Sequence, residues 1–422
     1  MPQIRLLLFL VGVVNSQNRL SSGNVSELPV CYSSRSQTHI FKESIPLILT
    51  RDDIIGKESV EVDHMHELIF VLRHKNVNQI TAILHNISNV SSQNYGHHLS
   101  KEQIDSLTSN QESRAVVVSC LLSIGASVAS ETQNWEHVTA TAPVGIWENF
   151  FQSTFYKYYL QHDGSRKEFI RTHEYWIPNE MNEHVESVFN IIQLPHRLSR
   201  KVRGGCTASL RPSSQSHDIH ISSEERGTKI FNFDKIKRFY DFGSSKGTPL
   251  SSQGVFAIDH RCSGFDNVEL SHQSSKHIFN NIEDSIALEG PLDLLNYLDY
   301  NMLSSTGSPT SYHCTNAYFS DWLVMMSEIA SPPLVISLLM DMPETYLSKS
   351  ELDAFNTLAI KFGCMGVTII APSGSYRSCD AGLSSEGQVD HSRIPSFPAS
   401  NQYVTAVAMS MVRTIILSDS LS

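Results

Sequence analysis

Glu289 and Asp293 are four residues apart within Ala287–Tyr297, so a helix would place both carboxylates on one face. Two carboxylates held together cannot both ionise easily, and the pKa of one of them therefore rises. A carboxyl group that stays partly protonated can transfer protons under acidic conditions. Because Pro291 is compatible only with the first turn of a helix, this helix must begin near Glu289. A solvated acidic pair on a surface helix has the same spacing, but the surrounding leucines favour the catalytic interpretation.

The elements that must position this pair alternate between strands and helices from Ser252 onward. Near-continuous apolar runs are typical of parallel strands that are buried on both faces, and helices between them predict βαβ units. This part of the chain is therefore predicted to form an α/β unit with a parallel sheet. The predicted helices are Asp284–Asn301, Phe319–Ala330 and Ser350–Phe362, and the predicted strands are Pro333–Leu339, Gly366–Ala371 and Tyr403–Met409.

The preceding part of the chain, about residues 60–195, mixes the periodicities of helices and strands. Ser100 and Gln103 form a capping-box pattern that predicts the start of a helix. The predicted helices are Asn76–Ile87, one that begins at Ser100, and Val144–Tyr159; the predicted strands are His66–Arg73, Ala115–Leu122, His137–Ala142 and Glu174–Ile177. This order predicts an α+β domain in which helices pack on an antiparallel sheet.

The overall composition indicates a globular protein that does not bind nucleic acid. The chain has 422 residues, of which 41% are hydrophobic, which is enough for two or three domains with their own cores. Its net charge of −11 argues against a nucleic-acid surface. Beyond the N-terminus, no segment approaches the ~18 apolar residues of a membrane-spanning helix, so a membrane partner is not expected.

The N-terminus and three glycosylation sequons predict entry to the secretory pathway, with the lysosome or the extracellular space as destination. Residues 1–17 have a basic residue, an apolar run and small residues in the order of a signal peptide, although a buried N-terminal strand is an alternative. Asn24, Asn86 and Asn89 are the sequon asparagines.

The seven cysteines show none of the spacings typical of metal sites. In an oxidising compartment disulfides are the expected state, and an odd count leaves at least one cysteine without a partner in this chain.

A segment rich in Ser, Arg and Gly separates the two predicted domains. Residues 196–247 are interpreted as an exposed linker, and an ordinary charged loop remains an open alternative. The predicted organisation is a signal peptide at 1–17, a lead-in at 18–59, the α+β domain at 60–195, the linker at 196–247 and a partial α/β domain at 248–422.

Several motifs together resemble the sedolisins, the serine-carboxyl peptidases. Phe70–Ile104, which contains SSQNYGHHLS, and Arg171–Tyr175 resemble the propeptide of that family. Glu289–Tyr297 resembles the segment with its acid pair, and Pro333–Glu344 and Ser396–Ser400 fit its subtilisin-like peptidase domain. The resemblance covers about residues 60–195 and 250–412, and it implies a zymogen whose propeptide domain docks on its own peptidase domain.

The resemblance also implies a reaction, because in this family a serine attacks the peptide carbonyl of a peptide or protein substrate. A glutamate is the general base, and an aspartate hydrogen-bonded to it orients it, so that carboxylates replace the histidine of other triads and the enzyme works in acid. By position, Glu289 would be the base and Asp293 its partner.

Two departures from the family pattern bear on activity. Where the family has an aspartate that donates to the oxyanion, this sequence has Ser375, and losing such a donor costs roughly 10²–10³ in rate. The nucleophile's G-T-S motif is not found in the sequence, and it would be expected C-terminal to Ser422, as would the family's calcium loop. No cofactor is therefore expected in this chain, although calcium is expected in full-length members of the family.

Two functions remain open at the level of the sequence. The first is a sedolisin-type peptidase zymogen whose present chain is inactive by itself. The second is a non-catalytic relative that binds peptides or a related peptidase, which Ser375 favours.

Other catalytic or metal sites are weaker interpretations. Gly243–Gly247 matches the G-x-S-x-G pattern of hydrolases, but the strand and helix that this motif requires on its two sides are not predicted. His64, His66, His97 and His98 lack further ligand spacing and are interpreted as surface or core residues.

Overall fold

The structure is a computed structural model, and it describes residues 38–45, 51, 53–162, 165–195, 252–258, 310–315, 318–340, 342–373 and 395–407. We refer to the described residues of 38–195 as the N-terminal unit and to those of 252–407 as the C-terminal unit. The predicted domain boundaries, including the signal peptide and the linker, lie largely outside the described residues and stay predictions.

The N-terminal unit is a mixed unit of antiparallel sheets and helices, as its periodicity predicts. Its order of strands is β4-β5-β3-β9 in the largest sheet, β2-β6-β7 in a second and β1-β8 in a third. The elements are β1 (His39–Ser44), β2 (Ile54–Ser59), β3 (Met65–Leu72), α1 (Val77–Ser88), α2 (Lys101–Thr108), α3 (Gln111–Ser123), β4 (Ser127–Glu131), β5 (His137–Pro143), α4 (Val144–Phe151), β6 (Tyr156–His162), β7 (Ser165–Arg171), β8 (Glu174–Pro178), α5 (Asn179–Asn182) and β9 (Val185–Phe189).

Aromatic side chains fill the core between the central sheet and α4. Trp147 and Phe151 of α4 pack against Phe70 of β3, with ring centroids about 6 Å apart. The indole Nε1 of Trp147 donates a hydrogen bond of 2.9 Å to the carbonyl of His66, so the polar atom of this buried ring is satisfied. Helix α4 is therefore fixed to β3 by both packing and a hydrogen bond.

Local patterns correctly predicted the beginning of α2 and the extent of β3. Ser100 accepts a hydrogen bond from the backbone N–H of Gln103, whose side chain accepts from the N–H of Ser100, which completes the predicted capping box. Burial along β3 increases toward its C-terminal end, where three consecutive residues are buried.

The prediction of a strand at Ala115–Leu122 is wrong, because these residues lie in α3. The side chain of Asn110 caps this helix by accepting from the backbone N–H of Ser113. Val116, Val117 and Cys120 are then buried on one helical face, and this packing outweighs the weak preference of β-branched residues for strands.

The predicted helix Val144–Tyr159 is also wrong in its second half. Helix α4 ends at Phe151, and the next residue, Gln152, has the left-handed conformation with a φ of 51°. A tyrosine-rich segment follows as strand β6, and aromatic side chains are favoured in strands.

The C-terminal unit is built on a parallel sheet in the strand order β11-β10-β12-β14-β16, which confirms the predicted parallel sheet. Its subtilisin-like details stay a prediction. The elements are β10 (Gln253–Ile258), β11 (Thr310–Thr315), α6 (Phe319–Glu328), β12 (Val335–Leu339), β13 (Met342–Pro343), a 3-10 turn (Glu344–Tyr346), α7 (Lys349–Cys364), β14 (Thr368–Pro372), β15 (Ser396–Phe397) and β16 (Val404–Val407).

Helices α6 and α7 lie on the same face of this sheet. The connections from β11 through α6 to β12, and from β12 through α7 to β14, both advance in the same direction across the strands. Because such crossovers are right-handed, they place both helices on one side. These helices pack against each other, and α7 also packs against α1 and β9 of the N-terminal unit.

Aromatic rings join the two helices to each other and to strand β15, which pairs with β13. The rings of Phe319 and Trp322 in α6 lie 5.6 Å apart, and Phe355 of α7 lies 4.9 Å from Phe397 of β15. None of the helices in the described ranges combines the length and the apolar character that a membrane crossing requires.

Candidate functional site

The residues predicted to carry out catalysis lie outside the described part of the chain. These are Glu289, Asp293 and Ser375. The sequon residue Asn24 also lies outside the described residues. Their predicted roles are neither supported nor contradicted by the structure. The described element that is nearest to Ser375 in sequence is β14, which ends at Pro372, three residues before it.

The other two predicted glycosylation sites are both exposed at the end of α1. Asn86 lies on the helix, and its side-chain oxygen accepts a hydrogen bond of 2.6 Å from the hydroxyl of Ser92. Asn89 follows the last residue of the helix and accepts from the backbone N–H of Ser91 at 3.0 Å. Solvent therefore reaches both side chains, as glycosylation requires.

The described residues instead bring together a buried interface, formed by the N-terminal unit and the helices α6 and α7. One part of it is an apolar cluster that includes both α1 and α7. Its buried members are Ile80, Leu84, Ile87, Ile104, Ile360 and Cys364. A Cβ atom on Gly363 would lie 2.7 Å from Cδ1 of Leu84, so the helices approach closely where α7 has no side chain. Cys364 is a free cysteine.

Groups of the N-terminal unit satisfy the backbone at both ends of α7. At its N-terminus, the carboxylate of Glu43 accepts a hydrogen bond of 3.0 Å from the backbone N–H of Ser350. At its C-terminus, the backbone N–H of Leu99 donates to the carbonyl of Cys364 at 2.9 Å. The first and last turns of a helix leave such groups without partners inside the helix, and an acidic group is favoured at the N-terminus.

The C-terminal end of α6 is bound in the same way. The ammonium group of Lys101 donates to the carbonyl of Ser327 at 2.7 Å, and the side chain of Asn134 reaches the same oxygen at 3.4 Å. A cation at this position also complements the negative end of the helix dipole. At the opposite end, the guanidinium of Arg171 lies 4.6 Å from the ring centroid of Tyr318, the residue that precedes α6.

A buried cluster of charged and titratable side chains lies between these contacts. The carboxylate of Glu136, in the N-terminal unit, forms an ion pair with the ammonium of Lys361 in α7, and both residues are about 5% exposed or less. Nε2 of His74 lies 3.5 Å from the same carboxylate. Next to it, Nδ1 of His137 is 3.3 Å from the hydroxyl of Ser327 in α6.

Electrostatics in this cluster favour a charged glutamate and a neutral histidine. Burial by itself would raise the pKa of Glu136, but the nearby charges of Lys361 and His74 lower it well below its usual range. The pKa of His137 is lowered to about 4, mainly by burial; His74 and Lys361 also lower it, and Glu136 opposes them. The ion pair therefore persists under acidic conditions, whereas His137 gains a proton only in strong acid.

In a second buried region, around Glu351, the surroundings favour a protonated carboxyl group. Burial raises the pKa of Glu351, in the first turn of α7, to about 7, although Oε2 accepts hydrogen bonds from Ser348. Within the described residues, Oε1 of Glu351, Nη2 of Arg171 and Nε1 of Trp322 are buried without hydrogen-bond partners. Leaving such groups unpaired costs stability, and the Glu136 cluster has one as well, because Nε2 of His74 is also buried without a hydrogen-bond partner among the described residues.

These apolar contacts, hydrogen bonds and the ion pair together hold the N-terminal unit against α6 and α7. In the ranges that the structure covers, no three residues of the metal-binding types form a group that could hold an ion.

Glu136 and Lys361 were not predicted as functional residues from the sequence. They are 225 positions apart, and no local pattern links them. A signal was present in Lys361, which is the one charged residue in the apolar run LAIKFGC, because a charge at such a position requires a buried partner.

Comparison with known proteins relates both units to one group of peptidase precursors. Residues 54–194 match the family model described as pro-kumamolisin, activation domain. Similar curated proteins include tripeptidyl-peptidase 1 of Homo sapiens, which is 23% identical over 359 residues, covering 81% of this chain and 60% of that protein.

Two further relatives give the same result. Tripeptidyl-peptidase 1 of Rattus norvegicus is 21% identical over 366 residues, covering 82% of this chain and 62% of that protein. The protein of the same name in Dictyostelium discoideum is 23% identical over 384 residues, covering 81% and 61% respectively. This chain therefore spans about three-fifths of the length of the curated relatives it matches.

Proposed function

We propose that the chain has the organisation of a zymogen. The reason is its relation to the sedolisin-type peptidase precursors across both of its units. The N-terminal unit acts as the propeptide and is docked on a peptidase-like C-terminal unit. The observation that carries the proposal is the buried interface itself, in which the N-terminal unit covers α6 and α7 and satisfies the ends of both helices.

The reaction proposed for the family-like site is the hydrolysis of peptides in acid by a tripeptidyl-peptidase-like serine peptidase. Glu289 is assigned as general base and Asp293 as the carboxyl group that orients it. Ser375 occupies the position of the oxyanion donor, where a hydroxyl donates less effectively than the protonated carboxyl group of the family. We therefore expect little or no turnover from this chain by itself. No step of this proposal involves calcium.

The proposed location is the secretory pathway, ending in the lysosome or outside the cell. The signal-peptide pattern and the exposed sequons Asn86 and Asn89 support it. Disulfide bonds belong to the same proposal, with Cys120 as a participant.

The proposal is tested by the cleavage of a fluorogenic tripeptide amide at about pH 4, the range in which a carboxyl base is partly protonated. The purified chain is compared with Ser375→Asp and with the double variant Ser375→Asp/Glu289→Gln. We expect undetectable turnover in all three, because no G-T-S motif supplies the nucleophile in this chain and restoring the oxyanion donor cannot replace it.

Other outcomes of this assay decide against parts of the proposal. If turnover is unchanged by Glu289→Gln, Glu289 is not the base. If all three proteins are folded and none of them turns over substrate, the expectation is met, and direct measurement of binding to a peptide or a related peptidase then tests the second candidate function. That candidate is a non-catalytic relative that binds peptides or a related peptidase, and Ser375 is the observation that favours it.

A further inference from the structure

We propose that Glu136 and Lys361 are the recognition pair by which the N-terminal unit selects the peptidase unit that it accepts. This inference rests on the proposed zymogen organisation and adds to it the residues that determine specificity. The partner that fits is a pair of helices like α6 and α7 with a lysine at position 361.

Most other polar contacts across the interface involve the backbone of α6 and α7 and not their side chains. Leu99 donates to a helix carbonyl, and Lys101 and Asn134 both donate to the carbonyl of Ser327. Every helix offers such carbonyl groups, whatever its sequence. These contacts therefore favour docking on a helix end without distinguishing one peptidase unit from another.

The apolar part of the interface also discriminates only weakly between different peptidase units. Leu84 and Ile80 pack on Ile360 and Cys364. Aliphatic side chains of similar volume replace one another in such clusters at modest cost. Specificity must therefore come from contacts that require particular side chains on α6 or α7. Gln193–Ser350 and His137–Ser327 are neutral hydrogen bonds of this kind, whereas Glu136–Lys361 joins two buried charges.

Glu136 and Lys361 form such a contact. The backbone N–H of Glu136 is held by the hydroxyl of Thr132 at 3.0 Å, so the carboxylate is presented from a fixed position. His74 and His137 face the carboxylate from the N-terminal unit, and Lys361 faces it from α7. A lysine fits this arrangement, whereas an apolar or acidic residue leaves Glu136 buried without compensation.

The energetics of buried pairs favour recognition over stability. Bringing two charges out of water costs about as much as their attraction returns, so a matched neutral pair is comparably stable. A mismatched pair is strongly unfavourable, because one charge then stays buried alone. The exposed pair Lys349–Asp353, whose side chains are 79% and 47% exposed, has no such penalty.

The experiment is a two-by-two set of variants in the full chain: wild type, Glu136→Gln, Lys361→Met and the double variant. Hydrogen exchange of the amides in α6 and α7, measured by mass spectrometry near neutral pH, reports docking. We expect each mismatched single variant to exchange roughly a hundredfold faster or more, and the matched neutral double variant to return to within about tenfold of wild type. Lys349→Met/Asp353→Asn is the control and should leave exchange unchanged.

Exchange in β3 and β5 shows whether the N-terminal unit remains folded in each variant. If a single variant does not fold at all, the double variant decides, because recovery of its fold supports the proposal. Exchange in the double variant as fast as in the singles would overturn it, as would wild-type protection in either single variant. The measurement requires no peptidase activity, so a negative result in the tripeptide assay and a negative result here are independent.

Discussion

The main core of the N-terminal unit is built from that unit's own buried residues, whereas the described part of the C-terminal unit shares its core with the other unit. The buried residues of the main N-terminal cluster, with Trp147 and Phe70 among them, all lie between positions 45 and 194. By contrast, the cluster around Trp322 and Phe355 includes Val71 and Phe189 of the N-terminal unit. This difference indicates that α6 and α7 depend on docking for part of their burial, whereas the main N-terminal core does not; α1 and α2 share only the smaller cluster around Leu84 with α7.

The strongest test of this asymmetry compares one large truncation in each unit. Trp147→Ala and Phe355→Ala each remove a fully buried ring, and each should lower the free energy of unfolding by about 3–5 kcal/mol. Trp147→Ala should accelerate amide exchange in both units, because the loss of the N-terminal fold also uncovers α6 and α7. Phe355→Ala should accelerate exchange mainly in the C-terminal unit, and in the N-terminal unit only where α1 packs on α7. Leu122→Ala, at a residue that is 58% exposed, is the control. If both variants accelerated amide exchange equally in the two units, the asymmetry would be contradicted.

The two units should also respond oppositely to acid. The pKa of His137 falls from its ordinary value of 6.5 to about 4 in the folded chain, so the unfolded chain binds more protons between these values. Stability is therefore lost as the pH falls through that window, by roughly 2–3 kcal/mol. Glu351 has a raised pKa of about 7 instead of 4.5, so the folded chain takes up the proton and stability is gained as the pH falls.

Urea unfolding at pH 7 and at about pH 4.5 measures both contributions. His137→Gln should reduce the loss of stability between these values, and Glu351→Gln should increase it. The reverse order would show that these two groups do not control the acid response.

A smaller effect is expected from the apolar contact between the two units. Leu84 is 7% exposed, and Leu84→Ala should lower the free energy of unfolding by about 2–3 kcal/mol. Exchange should increase in α7 more than in β3. His85→Ala is the matched control, since His85 is exposed on the same helix. If α7 keeps its protection in Leu84→Ala, this cluster does not hold the units together.

The smallest expected effect concerns the carboxylate at the beginning of α7. Glu43→Ala removes the acceptor for the backbone N–H of Ser350 and should cost ~0.5–1 kcal/mol in thermal or urea unfolding. The exposed Glu174 provides the control, because Glu174→Ala removes a carboxylate from the neighbouring strand β8. A loss no larger than that of the control would mean that Glu43 contributes nothing to this helix.

Those parts of the fold that depend on local patterns could be predicted. The spacing of apolar residues indicated α1 and α7, and a capping box placed the start of α2. The apolar runs at Pro333–Leu339 and Gly366–Ala371 correctly indicated parallel strands. The strand predicted at Ala115–Leu122 failed because burial against the sheet outweighs β-propensity there.

The candidate site could be predicted only in part. The motif at Arg171–Tyr175 indicated a propeptide, and Arg171 does reach the C-terminal unit through Tyr318. Glu136 and Lys361 could not be paired, because the meeting of two residues so far apart in sequence depends on the path of the whole chain. Glu289, Asp293 and Ser375 remain predictions, since they lie outside the described residues.

The sequence by itself determined the succession of an α+β unit and an α/β unit, and it supplied the motifs that resemble the sedolisins. These features arise from interactions between residues close in the chain, which periodicity and capping patterns report directly. Only the tertiary structure decided that α6 and α7 face the N-terminal unit and that Lys361 reaches Glu136. A buried charge requires a partner, but its sequence neighbours do not reveal which distant residue the fold will bring to it.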